Sequence, residues 1–522
     1  MSKKINAGMI AAASGIILIA GFLRWFELSR DSFYYDELYN VWSGRLSLFN
    51  MLKEQLAGDH PPLYYAIAKG WYFFGTGEVW TRSLSVVAGI FTVLFIYLAA
   101  EQLFSRRAGL WAAAFAAASP VLVWYSRANT YYSFMIAMAA LSFWLLVRAS
   151  IRGGWLNWAA YTLAAVALLF SYFFGAVLIG AGWLIYFLVG KLGKKYRYQW
   201  LTSQLVLLAM VLLAYLFSRS AVAEPHRFHI PAPGQLVGFI YDIAIAPFVL
   251  LLGLGDPAVN YAGTGGLPKG HILLALLMVI AGGVAFVYLK WFRDLVKNRS
   301  TIALAIGIFI MVAGPWLLQE TNGGQLSGRF IVWAAPFFML FLAAIVAAAP
   351  RKNAAKMGTI LLVGLISVSV WEIYHVQSGD ADWRSMIGIV NKERMPGDML
   401  VGFPLHNVTI AADYYLTKPM PISGGFPASD NKSVYFLKPG ETWGGYQSGY
   451  FVGSGKGSPL SGPFLSGRIN EDTLHASRLW LVEMDGLEST INPGIDQNWT
   501  AVKTWNYASF KMTLLDRKTN TT

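Results

Sequence analysis

Long apolar stretches alternate with short basic links over residues 1–375 of the chain. A helix that spans a membrane needs about 20 mostly apolar residues. The stretches that approach this length are 5–23, 84–100, 108–126, 131–147, 201–217, 270–289, 301–319, 330–349 and 357–371. The uncharged run from Gly154 to Gly190 is too long for one helix, and "SYFFG" within it predicts a turn between two helices. The pattern therefore predicts about eleven transmembrane helices.

The composition agrees with an all-α polytopic membrane protein. Of the 522 residues, 56% are hydrophobic and 13% are charged, whereas soluble domains are roughly 45–50% apolar. The net charge of +13 comes from Lys and Arg clustered in the links, where they set orientation and meet anionic lipid. This distribution excludes a nucleic-acid partner. Cysteine is absent, which excludes disulfides and cysteine-ligated metals.

The basic links also predict the orientation. The chain begins with a basic and then apolar segment that lacks a small-x-small cleavage site, so we expect a retained helix with a cytoplasmic N-terminus. The later links fall on the cytoplasmic side, as the positive-inside tendency requires, only if Leu236–Leu254 does not cross the membrane. We therefore predict a re-entrant or interfacial region in 220–269, with irregular backbone satisfied by surrounding protein.

The pattern changes after Tyr374, where long apolar runs stop. An amphipathic helix is predicted for "DWRSMIGIVNKER", and strands for "DMLVGFP", "RLWLVEM" and "SFKMTLLD". A glycine-rich stretch at 439–467 predicts a long loop. The sequence thus divides into a membrane domain, 1–375, with its first outer loop at 28–80, and a small extracytoplasmic α/β domain, 376–522.

The first outer loop holds the candidate chemistry. Its "YYDELYNVW" places Asp36 and Glu37 among aromatic residues beside the first apolar helix, where charge is costly unless it has a function. A helix lying in the membrane surface is predicted for "LSLFNMLKEQLAG". In "GDHPPLYY", two prolines set a rigid start for the next helix, with His60 before them and Tyr64 after.

This order of motifs, with a late "GRFIVWAAPFF", resembles the GT-C glycosyltransferases of the protein O-mannosyltransferase and aminoarabinose-transferase superfamily. The resemblance covers about residues 1–375. It implies a GT-C fold, a polyprenyl-phosphate sugar as donor, and transfer to a hydroxyl group outside the cytoplasm, commonly with inversion. The acceptor is a glycolipid, a polysaccharide or a protein.

Residue by residue, the resemblance makes Asp36 the base or substrate ligand and Glu37 its acidic neighbour. A hydroxyl becomes a better nucleophile when a carboxylate takes its proton. The departing phosphate needs positive charge nearby, and the resemblance assigns this contact to His60 and Arg329. We expect Arg127 and Tyr64 to contribute to donor binding as well.

One departure concerns the segment "YSRANTYYSF", where many members carry an acidic residue and this chain has none. Arg127 lies there and would supply positive charge instead. A divalent metal is left open, with Asp36 as its ligand if one binds, and no other cofactor is expected.

Structural roles compete with these assignments. Asp36 and Glu37 would also suit a solvated pair at a helix N-terminus. His60 would suit a hydrogen bond within the turn, and Arg329 an interfacial anchor. For the whole chain, the alternatives are a flippase for lipid-linked sugars and a ligase using diphosphate-linked oligosaccharides. The predicted location is a bacterial inner membrane, with the site facing the exterior.

Overall fold

The structure is a computed structural model. It describes residues 7–57, 60–189, 196–221, 246–247, 249–251, 297–318, 331–375, 382–403, 405–427, 434–437, 475–484, 498–507 and 510–518. The predicted region 220–269 lies almost entirely outside these residues, and the predicted helix 270–289 and the glycine-rich stretch 439–467 lie wholly outside them.

Helices dominate the part of the chain that is described. In chain order they are α1 (Ala7–Trp25), α2 (Tyr35–Gly44), α3 (Leu48–Ala57), α4 (Pro62–Tyr72), α5 (Glu78–Leu103), α6 (Arg106–Ala118), α7 (Pro120–Ser126), α8 (Tyr131–Arg152), α9 (Trp155–Leu169), α10 (Gly175–Val189), α11 (Arg197–Ala221), α12 (Arg299–Leu318), α13 (Ala335–Ala348), α14 (Arg351–His375), α15 (Trp383–Glu393) and α16 (Leu405–Tyr415). The strands are β1 (Asp398–Phe403), β2 (Ile422–Pro427), β3 (Val434–Leu437), β4 (Arg478–Met484), β5 (Trp499–Asn506) and β6 (Phe510–Arg517).

The chain divides into two compact units. Unit 1 comprises Met1–Leu28 and Asp59–Val376, and unit 2 comprises Ser29–Gly58 and Gln377–Thr522. The segment 29–58, predicted from the sequence to be part of the membrane domain, instead groups with the C-terminal residues by its contacts. The reason is apolar burial, since Phe33 of this segment shares a hydrophobic core with Trp383.

Unit 1 contains the apolar helices. Among the described residues, three helices are long and apolar enough to cross a membrane, namely Glu78–Leu103, Tyr131–Arg152 and Arg351–Tyr374. A bent pair, α6 and α7, would make a fourth if it forms one span. The predicted turn at "SYFFG" is confirmed, because α9 ends at Leu169 and α10 begins at Gly175.

The predicted helix 108–126 is wrong in one respect, because it breaks in the middle. Helix α6 ends at Ala118, α7 begins at Pro120, and their axes differ by 58°. Proline has no N–H to continue the helical bonding and pushes the preceding residue toward extended backbone. Ser119 accordingly has φ −66° and ψ 120°. The break leaves the last carbonyls of α6 without helical donors.

A fully buried arginine, Arg24 at the end of α1, lies beside this break. Its Nη atoms donate to the carbonyl oxygens of Ala117 at 2.9 Å and Ala116 at 3.1 Å. Its Nε donates to the hydroxyl of Ser126 in α7 at 3.3 Å. Backbone groups at membrane depth need partners within the protein, so Arg24 satisfies the broken end of α6 and joins α1 to both halves of the bent pair.

The described residues of unit 2 include a six-stranded sheet with the order β3-β2-β1-β4-β6-β5. Strand β1 runs parallel to β2 and β4, whereas the remaining neighbours are antiparallel. The predicted amphipathic helix is confirmed as α15, whose buried residues are Trp383, Met386, Ile387 and Val390, the spacing of a single helical face. The three predicted strands are confirmed as β1, β4 and β6.

An ion pair joins β1 to β4 inside this sheet. The Oδ2 of the buried Asp398 accepts hydrogen bonds from Arg478 Nη2 at 2.7 Å, Trp480 Nε1 at 2.9 Å and the Met395 N–H at 3.0 Å. Burial acts to raise the pKa of Asp398, but the hydrogen bond from Arg478, with those from Met395 and Trp480, outweighs it and lowers the pKa below its ordinary value.

We expect Gly89→Ala to destabilise unit 1. A Cβ atom at Gly89 would lie 2.8 Å from Nε of Arg24 and overlap the hydroxyl of Ser126. Overpacking of this kind lowers the free energy of unfolding by about 1–3 kcal/mol, which thermal unfolding in detergent would report. Gly21→Ala is the matched control, because a Cβ there meets nothing within 4 Å. Equal stability of the two variants would contradict the packing described.

We expect Asp398→Asn to lower the free energy of unfolding at pH 7 by about 1.5–3 kcal/mol, as for hydrogen bonds to charged groups. Because the folded pKa is depressed, the carboxylate stabilises above the unfolded value of about 3.9 and loses this effect as pH falls toward the folded pKa. Unfolding measured from pH 7 to 3 should therefore show the gap to wild type closing in acid. A gap independent of pH would contradict the assignment.

Candidate functional site

His60 of unit 1 lies directly before α4, where the sequence analysis expected it. Pro61 is the N-cap of that helix and Pro62 its first residue, so the two prolines set the helix start as predicted. The imidazole is half-buried, with its ring centroid 5.6 Å from that of Tyr131 and 6.0 Å from that of Tyr65. These rings hold His60 between α4 and the start of α8.

Asn129, a buried residue that the sequence analysis did not select, fixes α4 from the other side. Its Oδ1 accepts hydrogen bonds from the hydroxyl groups of Tyr72 at 2.8 Å and Tyr64 at 3.4 Å. Tyr64 is thereby placed within the protein interior, where it is fully buried. One feature of the sequence points to Asn129: it is a single amide side chain in the aromatic segment "YSRANTYYSF". A buried amide requires hydrogen-bond partners.

Arg127 has a structural role at the end of α1. Its Nη1 donates to the carbonyl oxygens of Phe26 at 2.6 Å, Leu23 at 3.3 Å and Arg24 at 3.4 Å, and its Nη2 to that of Glu27 at 3.1 Å. These carbonyls lie in the last turn of the helix or just after it, where helical donors run out. A cation there also suits the helix dipole. Donor binding by Arg127 stays a prediction.

The two carboxylates of "YDEL" lie in unit 2, in the first turn of α2, and their environments differ. Glu37 is fully buried, and its Oε2 accepts a hydrogen bond from the Tyr34 N–H at 3.3 Å. This return to the N-cap backbone is the glutamate half of a capping box. Asp36, one position earlier, is exposed. The structural alternative of helix capping therefore fits Glu37, whereas the role of Asp36 stays a prediction.

The remaining candidate, Arg329, lies outside the described residues. Within the described part of the chain, no group of three or more His, Asp or Glu residues is placed to hold a metal ion. The site residues that the structure describes thus form two separate sets. His60, Tyr64 and Arg127 belong to unit 1, and Asp36 and Glu37 belong to unit 2.

Comparisons with known proteins define the fold. Residues 59–219 match the family model described as dolichyl-phosphate-mannose-protein mannosyltransferase. The structure is similar to that of ArnT from Cupriavidus metallidurans in the apo state, with a TM-score of 0.57 at 11% identity over 97% of each chain. This chain has the GT-C glycosyltransferase fold.

Two further solved structures share the GT-C fold. ArnT bound to undecaprenyl phosphate gives a TM-score of 0.53 at 12% identity over 98% of each chain. The Archaeoglobus fulgidus oligosaccharyltransferase, in complex with Zn and sulfate, gives a TM-score of 0.51 at 12% identity over 95% of this chain and 73% of that one. No curated protein sequence matches the chain significantly.

We expect Asn129→Leu to destabilise unit 1 more than Tyr72→Phe does. The leucine leaves two buried tyrosine hydroxyls without this acceptor, at about 1–3 kcal/mol for each unsatisfied group. The phenylalanine removes one hydrogen bond, worth about 1 kcal/mol. A double-mutant cycle measured by unfolding in mixed micelles should give a coupling energy of about 0.5–3 kcal/mol. A coupling of zero would contradict the hydrogen bond.

Proposed function

We propose that this protein is an integral membrane glycosyltransferase that moves a sugar from a polyprenyl-phosphate donor to a hydroxyl group of an acceptor. The GT-C fold supports the reaction class. The donor class is supported by the ArnT structure with undecaprenyl phosphate and by a structure of the Archaeoglobus fulgidus oligosaccharyltransferase with a dolichol-phosphate. The observation that carries the proposal is the exposed carboxylate of Asp36 beside the buried, backbone-bonded Glu37.

In this proposal Asp36 is the base. Its carboxylate takes the proton of the acceptor hydroxyl as the hydroxyl oxygen attacks the anomeric carbon. The bond from that carbon to the phosphate oxygen breaks, the electron pair stays on the phosphate, and polyprenyl phosphate leaves. In-line attack inverts the anomeric configuration.

Glu37 has a different role. Its carboxylate is fully buried and bonded to the Tyr34 N–H, so it does not reach the hydroxyl group of a sugar acceptor. We assign it to holding the first turn of α2 and hence the backbone that carries Asp36. Both acids are catalytic in the prediction from sequence; here Asp36 keeps that role and Glu37 supports it.

The donor phosphate is assigned to His60 and Arg329. A protonated imidazole or a guanidinium stabilises the charge that grows on the leaving phosphate. Tyr64 is fully buried with its hydroxyl directed to Asn129, so its contribution is to hold α4, the helix that follows His60. The proposed location is a bacterial inner membrane, with the reaction on its outer side.

The test is sugar release from a panel of radiolabelled polyprenyl-phosphate hexoses and pentoses and a polyprenyl-diphosphate oligosaccharide, with purified protein in nanodiscs. We expect the wild type to release sugar from a monophosphate donor, and Asp36→Asn to bind that donor but release sugar at least about 100-fold more slowly, as for loss of a general base. Asp516→Asn, an exposed acid in unit 2, is the matched control.

Full activity of Asp36→Asn would overturn the assignment of the base. Release only from the diphosphate donor would instead identify a ligase. Movement of labelled lipid across liposomes by both proteins, without release of sugar, would identify a flippase.

A further inference from the structure

The backbone immediately before α2 is held by side chains from the C-terminal part of unit 2. Arg384, in the first turn of α15, donates through Nη2 to the carbonyl oxygens of Ser29 and Asp31, at 3.0 Å each. The hydroxyl of Tyr415, the last residue of α16, accepts a hydrogen bond from the Phe33 N–H at 3.0 Å. Three backbone groups within five residues are therefore bound by side chains more than 350 positions away along the chain.

These two side chains are themselves held in place. The start of α15 is capped by Asp382, whose carboxylate accepts from the Ser385 N–H at 3.1 Å and from the Ser385 hydroxyl at 2.6 Å. The end of α16 is bound to α15 because Asn391 Nδ2 donates to the carbonyl oxygen of Tyr415 at 2.9 Å. The donor and the acceptor that reach the segment before α2 thus come from two helices that are bonded to each other.

Apolar packing and an ion pair complete the attachment on both sides of Asp36. Phe33 is fully buried and packs edge-on against Tyr414, with ring centroids 5.2 Å apart. Leu38 and Val41 of α2 lie in the same hydrophobic core. After the helix, Arg45 pairs with Asp413 of α16. Contacts therefore precede, accompany and follow the helix that carries Asp36.

We propose that Arg384 and Tyr415 are positioning residues for Asp36, so that the C-terminal domain acts in catalysis by fixing the base. This inference rests on the proposed function. A general base has to lie within about 2.6–3.2 Å of the proton that it takes, and a displacement of about 1 Å costs roughly 100-fold in rate. Side chains that fix the backbone at 29, 31 and 33 set the position of the first turn of α2.

The test uses the full-length protein in nanodiscs and two readouts. Amide hydrogen exchange reports how firmly residues 29–45 are held, independently of any activity. Steady-state sugar transfer reports kcat and the KM for the donor. Arg384→Ala removes both carbonyl contacts, Tyr415→Phe removes the acceptor of the Phe33 N–H, and Arg384→Lys retains a cation that can donate to one carbonyl.

Arg394→Ala is the matched control. Arg394 follows the same helix and also donates to a backbone carbonyl of unit 2, that of Lys418 at 2.6 Å, but this contact lies outside the segment 29–58. A loss of general domain stability would affect this variant as well, whereas a loss of positioning would not.

We expect Arg384→Ala to speed exchange in residues 29–45 and to lower kcat by about 10- to 100-fold, with the donor KM changed by less than about twofold, since the lost contact acts in the transition state. Tyr415→Phe should show the same pattern more weakly, and Arg384→Lys should recover part of kcat. Arg394→Ala should match wild type in both readouts.

Unchanged exchange in Arg384→Ala would overturn the inference, whether or not the protein transfers sugar. Faster exchange with unchanged kcat in an active enzyme would overturn it too, as would an equal loss of kcat in Arg394→Ala. A wild type that releases sugar from none of the donors would defeat the proposed function instead, and exchange would still decide whether Arg384 holds the segment before α2.

Discussion

Every backbone N–H and C=O at membrane depth needs a partner inside the protein, and in unit 1 two arginines provide partners where helices stop. Arg24 donates to the last turn of α6, and Arg127 to the carbonyls that follow α1. The hydroxyl of Ser369 completes the end of α6 through the carbonyl oxygen of Ala118 at 2.9 Å. These bonds determine where the short loop between α7 and α8 begins. That loop carries Asn129, which accepts hydrogen bonds from Tyr64 and Tyr72 of α4. These bonds determine where α4 and the preceding His60 lie.

Arginine suits this task better than lysine would. Its planar fork reaches several acceptors at fixed angles and keeps its charge when buried, and carbonyl oxygens at a helix C-terminus carry partial negative charge that favours a cation. A buried cation thereby supports the break between α6 and α7. A continuous apolar helix would not need such a cation. The break in turn allows polar residues such as Ser126 and Asn129 to face the interior of unit 1 with their hydrogen bonds satisfied.

In unit 2, side chains bind the backbone of the loop before α2 rather than the end of a helix. Asp36 and Glu37 are adjacent, yet one is exposed and the other fully buried, because successive residues of a helix point about 100° apart. The buried acid is bonded to the backbone of its own first turn. Arg384 and Tyr415 anchor the backbone just before the helix that carries the exposed acid. A catalytic assignment for α2 therefore involves the C-terminal domain.

Local pattern determined much of this protein from sequence alone: the apolar helices, the proline start of α4, the turn at "SYFFG", the amphipathic α15 and three strands of the sheet. These features depend on neighbours a few residues away. Tertiary structure alone decided that Arg127 caps α1, that Asn129 binds two tyrosines, and that the segment 29–58 groups with the C-terminal residues. Their partners lie far away, 101 positions for Arg127 and Phe26 and 382 for Phe33 and Tyr415. The periodicity of apolar residues along the chain does not predict such pairs, because only tertiary packing brings them together.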